Sequence, residues 1–292
     1  MKIALGIAVA ALAALAGSAV AQTGYGITRS NTIFSFDAAA PGTVLTSAAI
    51  SGLGANESVL SIDARPLNGQ LVILTSASQL YSVDAAGNTV ALGAAFMPAL
   101  GNADYSIDFN PTVDRIRVVG GVGGTENFRL NPLTGGRVAG DTALSFAGGG
   151  GPNAQGVAYR NWNFGFNAAA GSVREYGIDA TANGLNLIEI GTMAGGNASF
   201  NAGVTTTIGA LGISSNDGFV GFDIFGPSDT AFVSSNIGTT FATLYTVNFA
   251  TGAATSLGDF SVIGVRDITF LPTPGAASLV GLAGLVALRR RR

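Results

Sequence analysis

The chain has no cysteine and no histidine, and its single lysine is Lys2. Without cysteine there are no disulfides, so stability has to come from burial and backbone hydrogen bonding. The missing histidine and cysteine exclude a Ser-His-Asp triad, a Cys-His nucleophile and the usual zinc ligand sets. With no lysine after position 2, a Schiff-base amine and a P-loop lysine are excluded too. Charged residues make up only 11% of the chain. The glycine clusters 120–124 and 148–151 do not spell Gly-x-Gly-x-x-Gly and are read as loops. Long amphipathic helical periodicity is absent between the two ends of the chain.

Both ends carry delivery patterns. Met1-Lys2 is a short positive region, Ile3 to Ala16 is apolar, and Ala19-Val20-Ala21 is a small-x-small cleavage pattern. This is a secretory signal peptide over residues 1–21, cut between Ala21 and Gln22. At the other end Gly275 to Leu288 is fourteen residues without charge, followed by Arg289–Arg292. As a helix it is roughly 21 Å long, short for a hydrocarbon core of about 30 Å. The arginine cluster fits the positive-inside rule and leaves the body of the chain outside the cytoplasm. Pro272, Thr273, Pro274 and Gly275, the short helix and the arginines together resemble a PEP-CTERM sorting signal over 272–292, with Thr273 replacing the middle glutamate of the name-giving motif. That resemblance implies export by the secretion machinery and transient anchoring in the membrane through 275–288. An exosortase-type enzyme then processes the chain, leaving it at the cell surface or in the medium. A plain C-terminal anchor is the alternative.

Between the signals, residues 22–271 hold nine arginines against seventeen acids, a net of −8. This excludes a basic nucleic-acid face. Short alternating runs rich in Val, Ile, Thr and aromatics, bounded by Gly, Asn, Asp and Pro, predict strands and turns. One motif, a strand followed by an acid or amide and a turn, recurs with Asp37, Asp84, Asn131, Asp179 and Asn248 in register, at spacings of 47, 47, 48 and 69. The long last spacing predicts an insertion within 192–207. A second motif interleaves with it: SIDARPLNGQLVIL from Ser61, SIDFNPTVDRIRVV from Ser106, GVAYRNWNFGF from Gly156, GFDIFGPSDTAFVS from Gly221 and VRDITF from Val265.

One full unit supplies two hairpins, or four strands. The last unit has only its first strand, and the segment from Tyr25 to Ile50 holds the three it lacks. The expected fold is all-β: a propeller of four-stranded blades, five in number, closed by N- and C-terminal strands sharing one blade, which removes an exposed sheet edge. A six-bladed ring, with 192–220 as its own sheet, and a β-sandwich are the alternatives. The stretch SIDFNPTVDRIRVV followed by FRLNPLTGG resembles the bacterial family known as domain of unknown function 4394, found on secreted proteins. The resemblance spans nearly all of 25–271 and implies the same repeat fold; it brings no activity and no catalytic residues.

Four units place an acid at what reads as one position, Asp63, Asp108, Asp223 and Asp267, with Tyr159 in the fifth. First strands line a propeller's axis, so these carboxylates are candidates for Ca²⁺ or for a polyhydroxylated ligand; the alternative is that each bonds backbone amides. Asp108, Asn110 and Asp114 form a D-x-N-x-x-x-D run without the glycine and distal glutamate of an EF-hand. Arg115 and Arg117 share one strand face and are candidates to grip an acidic surface polysaccharide, or to pair with Asp108 or Asp114. Trp162, Phe164 and Phe166 alternate as a sugar-stacking stripe or as core. No catalytic constellation, cofactor site or His/Cys metal site is expected. The functional expectation is a non-enzymatic surface or extracellular-matrix module. The alternatives are a carbohydrate-active enzyme with an Asp/Glu pair about 5–9 Å apart, or a calcium-dependent adhesin.

Overall fold

A computed structural model describes residues 22–160, 173–191, 200–215 and 218–272. The strands assemble into five antiparallel sheets arranged around one axis as a five-bladed propeller. Blade 1 runs from the axis outward as Val265–Pro272, Gln22–Thr28, Thr32–Asp37 and Ala40–Ala49. Blade 2 is Val59–Ala64, Leu71–Thr75, Leu80–Val83 and Thr89–Ala91. Blade 3 is Tyr105–Asn110, Arg115–Gly120, Glu126–Leu130 and Arg137–Val138. Blade 4 is Ala154–Arg160, Arg174–Thr181, Gly184–Ile190 and Val204–Ala210, with the short Ser145–Phe146 added in parallel outside. Blade 5 is Val220–Phe225, Thr230–Ser235, Phe241–Val247 and Ala254–Ile263.

The ring closes as the truncated repeat predicts. Gln22 pairs with Pro272, Gly24 with Phe270 and Gly26 with Ile268, so the two ends of the domain lie in one sheet and leave from the same face. The closing strand runs one residue past the expected boundary at 271 and includes Pro272. Val204–Ala210 is the outer strand of blade 4, paired with Gly184–Ile190, and not part of a sixth sheet.

The fourth unit departs from the expected register. Asp179 sits on the second strand of its blade, where Asp84, Asn131 and Asn248 follow third strands. The residues it matches in the sequence repeat lie at the opposite end of a blade. Its extra length is also not one insertion: it is divided between the connections 161–173 and 191–203. The turn chemistry separates the two cases. Asp37 Oδ1 accepts the Ala39 N–H (3.0 Å), Asp84 Oδ1 that of Ala86 (2.9 Å), Asn131 Oδ1 that of Leu133 (2.9 Å) and Asn248 Oδ1 that of Ala250 (2.8 Å). These are Asx turns, the local bond that makes Asp and Asn recur there. Asp179 accepts instead from Asn153 (2.8 Å).

Cores form between blades, because each sheet has two faces and both are covered. Between blades 5 and 1, Phe34, Phe36, Phe225, Phe232, Phe260 and Phe270 pack together, Phe232 stacked on Phe270 at 4.2 Å. Between blades 2 and 3 lie Phe96, Tyr105, Phe109 and Phe128. Tyr176 and Phe222 fill the boundary of blades 4 and 5. A repeated clamp joins two of the boundaries. Arg65 at the end of the inner strand of blade 2 pairs with Asp114 in the first hairpin of blade 3, and Arg160 of blade 4 pairs in the same way with Asp229 of blade 5. Both aspartates are left-handed, at φ 50° and 53°.

Close approach at the axis requires glycine at 221, where a Cβ would lie 2.8 Å from the Ile268 nitrogen and 2.9 Å from Asp267 Cα. Backbone cannot yield as a flexible side chain does. Gly221→Ala is expected to destabilise the domain by about 1–3 kcal/mol, the range of core overpacking, read as a fall in the denaturation midpoint. An unchanged midpoint would show that the blade 5–1 contact is loose.

Candidate axial carboxylate site

The inner strands of the five blades bring Asp63, Asp108, Asp223 and Asp267 to the axis, where all four are buried. The ring has two tiers, set by which backbone N–H each side chain reaches on the next blade. In one tier, Asp63 Oδ2 accepts from Phe109 (2.7 Å), Asp108 Oδ1 from Tyr159 (3.0 Å), Asp223 Oδ2 from Phe270 (2.6 Å) and Thr269 Oγ1 from Ala64 (3.1 Å). In the other, Asp267 Oδ2 accepts from Ile62 (3.0 Å), Ser61 Oγ from Ile107 (2.9 Å) and Ser106 Oγ from Val157 (3.1 Å).

The pattern corrects the alignment made from sequence. Asp267 lies in the tier of Ser61 and Ser106; the residue of blade 1 equivalent to Asp63 is Thr269, two positions on. In blade 4 the equivalent is Ala158, not Tyr159. The similarity of SIDA, SIDF and VRDI conceals a two-residue offset that only the acceptors reveal.

One carboxylate oxygen from each of Asp63, Asp108 and Asp223 lies within 4.8 Å of the other two. Five of their six oxygens accept hydrogen bonds, Asp63 Oδ1 and Asp223 Oδ1 taking the N–H of the following residue. Thr269 Oγ1 stands 3.0 Å from both Asp63 Oδ1 and Asp223 Oδ2. One hydroxyl has one hydrogen, so it donates to only one of the two carboxylates at a time. Burial, then the neighbouring Asp223, pushes Asp63 well above the usual carboxylate range. Burial, then Asp63 and Asp223, does the same for Asp108. Burial raises Asp223 to about 6 and Asp267 to about 7.

At the mouth of the axis opposite the chain ends, Ser106, Gln155, Phe219, Arg266 and Asp267 surround a space of about 10 Å³, the size of one water-sized sphere.

A second buried network joins blades 3 and 4. Arg117, 1% exposed, donates from Nε to the Tyr159 hydroxyl (3.2 Å), from Nη1 to Asn127 (2.9 Å) and Asp141 (3.1 Å), and from Nη2 to Asn201 (2.9 Å). Its Nε is also 3.4 Å from Glu175 Oε2. Arg129 pairs with Asp141 (2.9 Å). Burial raises Glu175 to about 7 against the pull of Arg117.

Arg115 and Arg117 therefore do not act as a pair. Arg115 bonds the carbonyls of Val113 and Asp114, Arg117 is internal, and neither meets Asp108 or the Asp114 carboxylate. The D-x-N-x-x-x-D run also separates: Asp108 faces the axis, Asn110 Oδ1 caps Thr112, and Asp114 clamps Arg65. Sequence reading missed Glu175, Asp141 and Thr269; the signal available for Glu175 was a second acid, besides Asp179, in the short strand segment EYGIDA. Trp162, Phe164, Phe166, Ala21, Thr273, Pro274, Gly275 and the 275–288 segment lie outside the described residues. Among the described residues no helix is long and apolar enough to cross a membrane.

Raised carboxyl pKa values mean that the folded state holds protons the unfolded chain has lost. This stability is fully present below the unfolded values near 4 and is lost as pH rises through about 6 to 7. The melting temperature is expected to fall by on the order of 5 °C between pH 5 and pH 8, and Asp223→Asn should flatten that slope; a rising curve would refute the raised carboxyl values. Arg117→Ala leaves Glu175 and Asp141 facing one another across a buried gap and is expected to cost about 3–5 kcal/mol in chemical denaturation. A loss within 1 kcal/mol, at the low level of exposed pairs, would contradict this role.

No curated protein matches the sequence. Among solved structures, TolB from Acinetobacter baumannii is 12% identical with a TM-score of 0.45, covering 87% of this chain and 67% of that one. A chain of a nidogen/laminin complex is 12% identical with a TM-score of 0.42, covering 85% and 97%. A protein from Lactobacillus plantarum is 18% identical with a TM-score of 0.38, covering 85% and 70%. The model of the family described as domain of unknown function (DUF4394) matches residues 32–269, which takes in strands of all five blades and both tiers of the axial ring. The chain belongs to that family.

Proposed function

We infer that the mature chain is an exported, non-enzymatic module of the cell surface or extracellular matrix that binds or scaffolds and does not turn over a substrate. The observation that carries this reading is the position of the axial acids. They are the groups best suited to acid–base work, and they are buried and hydrogen-bonded to backbone N–H groups of the next blade. A glycosidase needs its carboxyl pair beside a bound sugar, and the mouth described above admits no sugar ring.

The enzyme reading has one observation in its favour: Asp63, Asp108 and Asp223 combine proximity with a raised affinity for protons, as catalytic carboxyls do. The same pair of properties follows from their structural bonding. A calcium-dependent adhesin using this cluster would need six to eight oxygen ligands, and five of the six carboxylate oxygens already accept hydrogen bonds. The delivery route is the one the chain ends imply: secretion, transient anchoring through 275–288, and processing by an exosortase-type enzyme. Gln22 and Pro272 leaving one face suits a domain tethered at its C-terminal end.

Recovered from the producing cell, the protein is expected to begin at Gln22 and to lack Arg289–Arg292 by intact-mass spectrometry. It is also expected to release no reducing ends from neutral or acidic polysaccharides. Hydrolysis that disappears in Asp108→Asn would replace this reading with the enzyme. A rise in melting temperature with calcium would replace it with the adhesin. A cytoplasmic product with both ends intact would refute export.

A further inference from the structure

A groove of about 420 Å³ opens between blades 1 and 2, within the range of small-ligand sites. Its floor is Leu71 and Leu271 with Tyr25, and its polar rim is Gln70, Asp84 and Asn88. Tyr25 stands mid-strand, and the other five come from strand ends and turns on the face where the chain termini leave the ring.

The opening has a structural cause. Other blade boundaries carry at least one buried ring: the phenylalanine cluster between blades 5 and 1, Phe109 and Phe128 between 2 and 3, Tyr159 (against the partly buried Phe200) beside an aliphatic core between 3 and 4, and Tyr176 and Phe222 between 4 and 5. The core between blades 1 and 2 is built from Ile, Val, Leu and Ala, with Tyr25 and Tyr81 only partly buried at its margin. Aliphatic side chains stop short of the surface there, and the space beyond them is the groove.

The rim is preorganised. Asp84 Oδ1 accepts the N–H groups of Ala86 and Asn88 (2.9 Å each), and Oδ2 accepts Asn88 Nδ2 (2.9 Å). These bonds to Asn88 hold the Asp84 carboxyl below its usual range, so it is an anion at neutral pH. Among the described residues no lysine or arginine lines the groove.

We propose that this groove binds one ring of a neutral saccharide, with the apolar face of the sugar on Tyr25 and Leu271 and its hydroxyls on Asp84, Asn88 and Gln70. A fixed carboxylate beside a carboxamide calls for donors, which sugar hydroxyls supply. An aromatic ring over an aliphatic floor suits the C–H face of a pyranose. The same carboxylate, without a cation beside it, repels uronic acids, sulfated sugars and phosphates. The site rests on the reading of the chain as an extracellular binding module and gives it a ligand class.

The test is calorimetric titration of the full chain with neutral gluco-, galacto- and manno-oligosaccharides and with their uronic-acid counterparts. Saturable binding of a neutral sugar is expected, with no binding of its uronate. Tyr25→Ala should weaken it by at least about tenfold, 1.4 kcal/mol. Val90→Arg, placed at an exposed position on the groove wall, should do the same with an unchanged melting temperature, which keeps the test valid if Tyr25→Ala fails to fold. Wild-type affinity in Val90→Arg would place the ligand elsewhere, overturning the groove while leaving the binding module intact. A preference for uronates, or no binding of any neutral sugar, would also overturn it; export and the lack of hydrolysis are tested separately by mass and reducing-end measurements.

Discussion

The ring depends on one kind of contact: a short polar side chain on the innermost strand of a blade accepting a backbone N–H from the innermost strand of the next. Inner strands meet at the axis without a hydrogen-bonded ladder between them, so their inward-facing amides would be buried without partners, at about 1–3 kcal/mol each. Asp63, Asp108, Asp223, Asp267, Ser61, Ser106 and Thr269 meet that need. Aspartate suits the position because two oxygens accept from both the neighbouring blade and the following residue of its own strand, as Asp63 and Asp223 do. Three such groups cannot all stay charged within a few ångströms of one another, and the protons they retain are a consequence of the fold.

Where the relay is interrupted, other contacts take over. Blade 4 offers Gly156 and Ala158 at the two tier positions and blade 5 offers Gly221, none of which can accept with a side chain. Gly221 lets the backbones of blades 5 and 1 approach closely. Blade 4 is held to blade 3 by Arg117 reaching Tyr159 and Glu175, and to blade 5 by Arg160 on Asp229. The most irregular blade thus carries an ion pair across each of its two boundaries, and the charges around Arg117 balance: Arg117 and Arg129 against Asp141 and Glu175.

The blade count and the closure were legible in the sequence because they rest on local chemistry repeated at even spacing. Asx turns after third strands demand Asp or Asn, and a final unit with one strand requires three from the other end. The register of blade 4 was not legible. EYGIDATANG imitates a third strand and its turn, and only the pairing of Ala154–Arg160 with Arg174–Thr181 shows it to be a second strand. The axial tiers were half legible. Recurrent aspartates marked the axis, but a hydroxyl and a carboxylate do the same work there, so Thr269 went unnoticed and Asp267 was put in the wrong tier. Arg117 and Glu175 are far apart in the chain, and no local pattern marks two buried charges as partners.

Blade 1 is assembled from both ends of the domain, and its two boundaries are built differently. Toward blade 5 the seam is sealed by six phenylalanines, a large apolar contact that needs no directional bonds. Toward blade 2 the apolar contact is aliphatic and incomplete, and cohesion shifts to the axis. Ser61 donates to Asp267, the Ile62 N–H reaches the same carboxylate, and the Ala64 N–H reaches Thr269, which also contacts Asp63. Directional bonds at the inner end allow the outer end of this boundary to stay open without loosening the ring. An open slot bounded by two rigid sheets keeps its shape when empty. That is the condition for a preformed ligand site, and it explains why the groove lies beside the seam and on the side away from the phenylalanines.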